Sequence, residues 1–375
     1  MAVTDEQSVL RGAWREGEDP GDRQFADLGA MVLERGGSLP AVRVAYETWG
    51  RLNDRRDNAV LIEHALTGDS HVVGPAGPGH ASAGWWPGLI GTGSVLDPDE
   101  HFVVAANVLG GCQGSTGPSS TAPDGRPWGS RFPFVTIRDQ VEVEARLADR
   151  LGIARWELVM GGSMGGMRSL EWAVSHPDRV ARAVVIGSTA QSSGDQIAWS
   201  QPQLLAIRSD PNFMGGDYYR SGRAPDEGMG IARRIAHITY RSAAELDVRF
   251  GRAAQPGEEP LGGHGRYAVE SYLDHQAERL RGRFDANSYL VLTEAMNSHD
   301  IGRDRGGVAS GLTLIKADVV AVAVDSDRLY LRWESEQIAD GAPNGRLAVL
   351  ESSHGHDGFL TEVSQVSHIV RDLLR

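Results

Sequence analysis

The sequence predicts an α/β fold in which a mostly parallel sheet is covered on both faces by helices. Three segments are near-uniform apolar runs, the pattern of strands buried on both faces, and they span residues 59–66, 101–108 and 180–187. Segments with helical spacing of apolar residues alternate with these runs, as expected for parallel strands joined by crossover helices. A third observation is Ser163, which stands in a glycine-rich turn between a short apolar run and a helical segment.

Composition restricts the class of protein and its partners. The 375 residues allow one large domain or two modest ones, and 41% hydrophobic with 23% charged residues is ordinary for a globular enzyme. The net charge of −13 argues against nucleic acid or an anionic membrane as a partner. The single cysteine, Cys112, excludes an intramolecular disulfide. Because neither a secretory signal nor a spanning segment is found, we expect a soluble, cytoplasmic protein.

The chain before the first buried run is predicted to contain a tail and a pair of strands. Residues 1–22 mix acids and arginines without an apolar segment, so we expect a disordered tail. Residues 25–33 and 42–48 have the pattern of an antiparallel pair, separated by a double-glycine turn and Pro40.

The remaining elements alternate until one long helical stretch. In chain order we predict a helix at 136–151 that stops at Gly152, the strand and helix around Ser163, a strand at 180–187, a strand at 319–324, a helix at 332–339, a strand at 346–351 and a helix at 361–374. Between 191 and 310 helical pieces occur at 203–208, 230–242 and 288–296, without a convincing strand. We therefore interpret 23–190 and 311–375 as the α/β core and 191–310 as a helical lid insertion.

Ser163 is the candidate nucleophile. It lies in residues 161–165, GGSMG, a G-x-S-x-G match that gains physical meaning because a strand precedes it and a helix follows. Glycines have no Cβ atom, so strand and helix can approach closely around a serine held on a strained turn. A serine that only caps a helix fits the same pentapeptide, so the hypothesis depends on its partners.

A serine hydroxyl needs a base that takes its proton and an acid that orients the base. In the α/β-hydrolase fold these partners follow the serine in the order acid, then histidine, each on a loop after a late strand. Asp325 and Asp327 directly follow one predicted strand, and His354 and His356 directly follow the last one. This order predicts the α/β-hydrolase fold and leaves two candidates for each partner. The histidine cluster has no matching cluster elsewhere, so we expect no metal.

Acyl transfer also requires an oxyanion hole, formed by two backbone N–H groups that point at the developing charge. One N–H should come from Met164, the residue after the nucleophile at the start of the helix. The other should come from the loop after the strand predicted at 59–66, where Leu66 is the best candidate.

Nine motifs, in the same order, resemble those of the homoserine O-acetyltransferase family and span nearly the whole chain beyond the N-terminal tail. They are HALTGDSHV (64–72), GWWPGLIGTG (84–93), NVLGGCQGSTGPSS (107–120), GGSMGGMRSLEWA (161–173), DPNFMGGDYY (210–219), IARRIAHITY (231–240), FDANSYL (284–290), SDRLY (326–330) and GHDGFL (355–360). Several of them are not shared with general esterases, so the resemblance is specific.

The resemblance implies roles for particular residues. The family's acid falls on Asp327 and its base on His356, with Ser163 as nucleophile. Its substrate-binding arginine falls on Arg233 and its substrate-binding aspartate on Asp357, and Tyr240 is a weaker candidate for the same pocket. These assignments make physical sense, since a zwitterionic amino acid needs one cation and one anion in its pocket.

The resemblance also implies an acyltransferase that moves an acetyl group from acetyl-CoA to the hydroxyl of L-homoserine. The mechanism would be ping-pong through an acyl-serine, and the product O-acetyl-L-homoserine would serve methionine biosynthesis. Acetyl-CoA is then a co-substrate, with no permanently bound cofactor, and a homodimer through the insertion is expected. The alternatives are a homoserine O-succinyltransferase or serine O-acyltransferase on the same scaffold, and then a serine hydrolase. A non-catalytic binding module is disfavoured because no member of the triad is missing.

Overall fold

A computed structural model describes residues 12–375 and contains one eight-stranded sheet in the order β1-β2-β4-β3-β5-β6-β7-β8. Strand β2 is antiparallel to both of its neighbours, and every other neighbouring pair is parallel. The strands are β1 (Gln24–Val32), β2 (Ser38–Trp49), β3 (Ala59–Glu63), β4 (Phe102–Ala106), β5 (Leu158–Gly162), β6 (Arg182–Ile186), β7 (Asp318–Val324) and β8 (Gly345–Leu350). The predicted fold class is confirmed.

Helices cover both faces of the sheet and fill the stretch between β6 and β7. In the described residues they are α1 (Ile137–Leu151), α2 (Met164–Ser175), α3 (Gly194–Ser209), α4 (Asp226–Tyr240), α5 (Ala243–Arg249), α6 (Ala268–Arg281), α7 (Ala286–Asn297), α8 (Val308–Leu312), α9 (Arg332–Gly341), α10 (Gly358–Thr361) and α11 (Val363–Leu374). Short 3₁₀ turns add Gly129–Arg131, Pro211–Gly216, Tyr218–Arg220 and Gly355–Asp357. No helix within residues 12–375 has the length and apolarity needed to cross a bilayer.

The central strands are apolar throughout because successive side chains enter two different cores. In β3, Leu61 packs into the core on one face of the sheet, while Val60 and Ile62 pack into the core on the other. In β5, Val159 and Met160 divide in the same way. Successive side chains of a strand point to opposite faces of the sheet, and here both faces are covered by an apolar layer. Such a strand has an uninterrupted apolar sequence, which is the pattern that predicted a parallel sheet.

Helix α1 begins and ends where its sequence signals predict. The Thr136 hydroxyl accepts a hydrogen bond from the Asp139 N–H, and the Asp139 carboxylate accepts one from the Thr136 N–H, which is a complete capping box. At the other end Gly152 has φ = 74°, a left-handed conformation that glycine adopts without strain.

The segment between β6 and β7 is helical, with longer helices than the sequence patterns suggested. Helix α3 begins nine residues before the predicted piece at 203–208. Those nine residues have no amphipathic period and include Pro202, so no sequence pattern indicated a helix there. Helix α6 was not predicted. Apolar residues from α3, α4 and α7 form one cluster with Met164 and Met167 of α2, so the segment packs directly above the turn that carries Ser163.

The N-terminal tail prediction covers two different regions. Residues 1–11 lie outside the described residues. Residues 12–15 are buried or partly buried and residues 16–22 are exposed, so the inner end of the predicted tail makes contacts that a disordered segment would lack. The backbone N–H of Trp14 donates a hydrogen bond to the Cys112 carbonyl at 2.9 Å. The centre of the Trp14 ring lies 4.9 Å from the centre of the Phe25 ring. An aromatic anchor within the charged segment explains the difference.

The loops after four strands lie at the carboxyl edge of the sheet. Leu66 follows β3, Ser163 follows β5, Asp327 follows β7 and His356 follows β8. Because these strands are parallel, the fold places all four residues at the same edge, which is where open α/β sheets bind ligands.

Candidate active site

Ser163 occupies a strained turn between β5 and α2. Its backbone has φ = 58° and ψ = −122°, a region that residues with a Cβ atom rarely adopt. Its neighbours explain how the turn is tolerated. A Cβ atom on Gly161 would lie 2.6 Å from the Glu63 carbonyl oxygen, and one on Gly165 would lie 2.1 Å from the same oxygen. Only glycine at both positions allows β3 and α2 to meet beside the serine.

Backbone hydrogen bonds hold Ser163 in this conformation. Its N–H donates to the Ile186 carbonyl at 2.9 Å, which ties the turn to the end of β6. The Ser188 hydroxyl donates to the Ser163 carbonyl at 2.9 Å. Surrounding structure of this kind is what makes a strained serine persist in a folded chain.

His356 and Asp327 form a buried hydrogen-bonded pair. The His356 Nδ1–H donates to Asp327 Oδ2 at 2.7 Å, while Asp327 Oδ1 accepts the backbone N–H groups of Leu329 and Tyr330 at 2.8 and 3.0 Å. Burial alone would lower the pKa of His356, but the Asp327 carboxylate outweighs it and raises that pKa. The other ring nitrogen, Nε2, is buried and has no hydrogen-bond partner in residues 12–375.

The two alternatives left open by the sequence have other contacts. Asp325 Oδ1 accepts the Ser352 backbone N–H at 3.0 Å and so fixes the turn after β7. The His354 side chain is 39% exposed and lies 3.6 Å from the Glu362 carboxylate. Neither residue lines the cavity that contains Ser163. The geometry therefore favours Asp327 and His356 as the partners of the serine.

One cavity of about 160 Å³ contains Ser163, His356, Arg233 and Asp357. Tyr240 and Leu66 also line it, together with Trp85 and Arg283. A larger cavity of about 580 Å³ lies beside strand β2, but none of the predicted site residues lines it, so the smaller cavity is the candidate active site.

Within the cavity, Arg233 and Asp357 differ in how their charges are balanced. Arg233 comes from α4, and its Nε and Nη1 are buried without a hydrogen-bond partner in the described chain. Its guanidinium lies 5.7 Å from the centre of the Tyr240 ring. Asp357 is paired with Arg241 at 3.2 Å. Burial raises the pKa of Asp357, against the opposing effects of Arg241, His356 and Arg233.

The two predicted oxyanion-hole residues come from two different elements. Met164 is the first residue of α2, so its N–H has no acceptor within the helix. Leu66 lies on the loop after β3 and lines the cavity. This loop is held by His64, whose Nδ1–H donates to the Ala65 carbonyl at 2.8 Å and whose Nε2 accepts the Val108 N–H at 3.1 Å.

A buried ionic cluster beneath the turn was missed by sequence reasoning. Arg168 of α2 lies 2.6 Å from both the Glu63 and the Glu144 carboxylates, and it also donates to the His64 carbonyl at 2.6 Å. Burial raises the pKa of Glu63 well above its ordinary value. The cluster connects the helix after Ser163 to the loop of Leu66. The only sequence signal was charged residues within otherwise apolar segments.

A second unpredicted cluster contains Asp22, Glu47, His71 and His80, whose ligand-type atoms lie within 4.8 Å of one another. His71 contacts the Glu47 carboxylate through Nδ1 at 3.0 Å and the Pro75 carbonyl through Nε2 at 3.2 Å. Since both partners are acceptors, both ring nitrogens carry protons and neither has a lone pair for a metal. We interpret the cluster as a hydrogen-bonded network that stabilises the long loop after β3.

Known proteins resemble this chain in both sequence and structure. The family model described as alpha/beta hydrolase fold matches residues 58–363. The homoserine O-acetyltransferase of Thermobifida fusca (strain YX) is 62% identical over 97% of this chain and 96% of its own length. The chain belongs to the homoserine O-acetyltransferase family. It is thus a member of an enzyme family, as the motifs predicted.

Solved structures extend the comparison beyond this family. The homoserine O-acetyltransferase from Bacillus anthracis superposes with a TM-score of 0.86 at 26% identity, over 94% of this chain and 97% of that one. Esterase E22 superposes with a TM-score of 0.85 at 27% identity, over 94% of this chain and 99% of its own. The same fold is therefore found in proteins named as a transferase and as an esterase.

Proposed function

We propose that this protein transfers the acetyl group of acetyl-CoA to the side-chain hydroxyl of L-homoserine. The product is O-acetyl-L-homoserine, for methionine biosynthesis. One observation carries the proposal: a single cavity contains a serine, a histidine oriented by a carboxylate, and a separate arginine and aspartate. A hydrolase needs only the first three groups. The last two match the carboxylate and ammonium of an amino-acid acceptor.

The first half-reaction acetylates the enzyme. His356 Nε2 takes the proton from the Ser163 hydroxyl as its oxygen attacks the thioester carbonyl, and the Met164 and Leu66 N–H groups hold the oxyanion. When the intermediate collapses, the carbon–sulfur bond breaks and the proton on His356 passes to the CoA thiolate. Asp327 holds the imidazole in the tautomer that exposes Nε2 and stabilises its cation.

The second half-reaction repeats these steps with the acceptor. The homoserine hydroxyl gives its proton to His356 Nε2 and attacks the acetyl-serine carbonyl. The ester bond to Ser163 then breaks, and Ser163 recovers its proton from His356. Arg233 binds the acceptor carboxylate and Asp357 its ammonium group, which places the hydroxyl beside the acyl group.

Water must be kept from the acetyl-serine for transfer to exceed hydrolysis. The apolar cluster that α3, α4 and α7 share with α2 supports a lid role for residues 191–310. Lid helices α3 and α4 also expose Ile197, Leu205 and Ile231, which are 41 to 53% accessible. Exposed apolar groups on adjacent helices support a homodimer through the lid. We place the enzyme in the cytoplasm.

The test follows release of free CoA thiol from acetyl-CoA or succinyl-CoA, with and without homoserine or serine. Release that requires homoserine and prefers acetyl-CoA is expected. Release independent of any acceptor would mean a thioester hydrolase, and a preference for succinyl-CoA or serine would identify the related transferases. Ser163→Ala should abolish acetyl-enzyme in intact-mass spectra. Ser310→Ala, which changes an exposed serine on α8, is the matched control.

A further inference from the structure

A second arginine lines the candidate active site and takes no part in the two half-reactions. Arg283 lies between α6 and α7, and its side chain lines the cavity of Ser163 and Arg233. It also borders a separate cavity of about 320 Å³ next to His80 and Gln113. Arg283 therefore forms part of the wall between the two spaces.

The Arg283 charge is not matched by a nearby carboxylate. No acidic group of residues 12–375 lies within 4.0 Å of its guanidinium. Asp69 acts on it only as a longer-range charge. Arg233 and Arg283 line the same cavity. Burial lowers the pKa of Arg283, and the positive charge of Arg233 lowers it further.

The cavity as a whole therefore presents more positive than negative charge. The Arg233 Nε and Nη1 donors have no hydrogen-bond partner among the described residues, and Asp357, the acid that lines the cavity there, already pairs with Arg241. Two partly buried cations that line one cavity, with no carboxylate of residues 12–375 in contact with Arg283, are unfavourable in the unliganded protein. An anion bound between the two guanidinium groups would neutralise their charges and accept their hydrogen bonds. The repulsion in the unliganded protein would then be relieved, which favours anion binding.

We propose that Arg283 is the second arm of a carboxylate clamp, in which Arg233 and Arg283 together hold the α-carboxylate of the acceptor amino acid. The inference rests on the proposed function. A carboxylate has two oxygens and about four acceptor sites, so two guanidinium groups can share it. An acetyl group carries no charge, and the phosphates of CoA lie at the far end of its pantetheine arm. The acceptor carboxylate is then the anion that reaches this cavity.

The proposed clamp predicts which acceptors the enzyme uses. A site built around a charged group strongly rejects an analogue that lacks the group, because its donors are left unpaired. Homoserinol, 2-amino-1,4-butanediol, has the hydroxyl and ammonium of homoserine without the carboxylate. Loss of Arg283 should therefore reduce the rate of transfer to homoserine far more than the rate of transfer to homoserinol.

The experiment compares Arg283→Gln and Arg283→Lys with the wild type in three measurements. These are single-turnover acetylation by acetyl-CoA, kcat/KM for homoserine, and kcat/KM for homoserinol. Arg283→Gln should lower kcat/KM for homoserine roughly 10- to 100-fold, mainly through KM. Acetylation and homoserinol turnover should stay within about threefold of the wild type. The kcat/KM of Arg283→Lys for homoserine should lie between those of the wild type and Arg283→Gln. Lysine keeps the positive charge but lacks the planar guanidinium that can donate two hydrogen bonds to one carboxylate.

Arg281→Gln is the matched control, because Arg281 lies two residues away and pairs outward with Glu227 and Glu278. Equal losses for homoserine and homoserinol, or slower acetylation, would overturn the clamp. If Arg283→Gln does not fold, the same comparison on Arg283→Lys decides. Calorimetric binding of homoserine to Ser163→Ala, with and without Arg283→Gln, separates the two proposals. Arg283-dependent binding without transfer by the wild type would contradict only the proposed function.

Discussion

The imidazole of His356 is held between two environments: its Nδ1–H donates to Asp327 at 2.7 Å, while its Nε2 has no partner in residues 12–375. The carboxylate thus fixes which nitrogen carries the proton in the neutral ring. The nitrogen left with a lone pair is on the side away from Asp327. This arrangement is what a general base for Ser163 requires.

Asp327→Asn should lower kcat for acetyl transfer by roughly 10³- to 10⁴-fold, because an amide can stabilise the wrong tautomer and carries no charge. Asp325→Asn is the matched control, since Asp325 only accepts a backbone N–H at the neighbouring turn. It should stay within a few-fold of the wild type. Steady-state kinetics on both variants would test the assignment, and a larger loss for Asp325→Asn would reverse it.

The pH dependence of acetylation should report the raised pKa of His356. The histidine acts as a base only when neutral, so the single-turnover rate should fall as the pH decreases through a pKa above the ordinary value of 6.5. In Asp327→Asn the charge that raises this pKa is absent and burial, which lowers it, remains. The acid limb should then move to lower pH. A limb that stays in place would contradict the assignment of His356 as the titrating base.

Much of the candidate site could be predicted from sequence because its residues follow strands in a fixed order. Ser163, Asp327 and His356 each lie directly after an apolar run, and parallel strands bring such positions to one edge of the sheet. Short-range patterns also located the ends of α1, where Thr136 and Gly152 act through contacts within a few residues.

The parts that sequence did not predict depend on contacts between distant segments. Arg168 meets Glu144, 24 residues earlier, and the His64 carbonyl, 104 residues earlier. No local pattern signals such a cluster. Arg283 follows a helix that was itself not predicted, and its place in the cavity emerges only when that helix packs. The first half of α3 was missed because its apolar residues surround the helix without a periodic face.

Arg168→Met should destabilise the fold by about 3–5 kcal/mol, because it leaves the Glu63 and Glu144 carboxyl groups buried without their shared cation. Chemical denaturation would measure the loss. Lys316→Met removes the exposed pair with Asp178 and should change stability by less than about 1 kcal/mol. If the two variants lose similar amounts of unfolding free energy, the buried cluster does not stabilise the turn that carries Ser163.

Leu205→Glu should dissociate the proposed homodimer, because it places a charge within the exposed apolar surface of α3. Sedimentation velocity of the variant should give a monomer where the wild type gives a dimer. Val248→Glu introduces the same charge at a 91% exposed apolar residue on α5, outside that surface, and should remain dimeric. A monomeric wild type, or a dimeric Leu205→Glu, would contradict an interface through α3.

Gly165→Ala should push helix α2 away from strand β3 and so distort the turn that carries Ser163. The added Cβ would lie 2.1 Å from the Glu63 carbonyl oxygen, a backbone atom that cannot rotate away, so α2 must move relative to β3. We expect a loss of at least about 1–3 kcal/mol in stability and a large drop in acetylation, since Met164 and Ser163 move with the helix. Gly194→Ala is the matched control, because it lies at the first turn of α3 and its Cβ would meet nothing within 4 Å. Denaturation midpoints and single-turnover rates would distinguish them, and an active, stable Gly165→Ala would contradict the requirement for close approach at this turn.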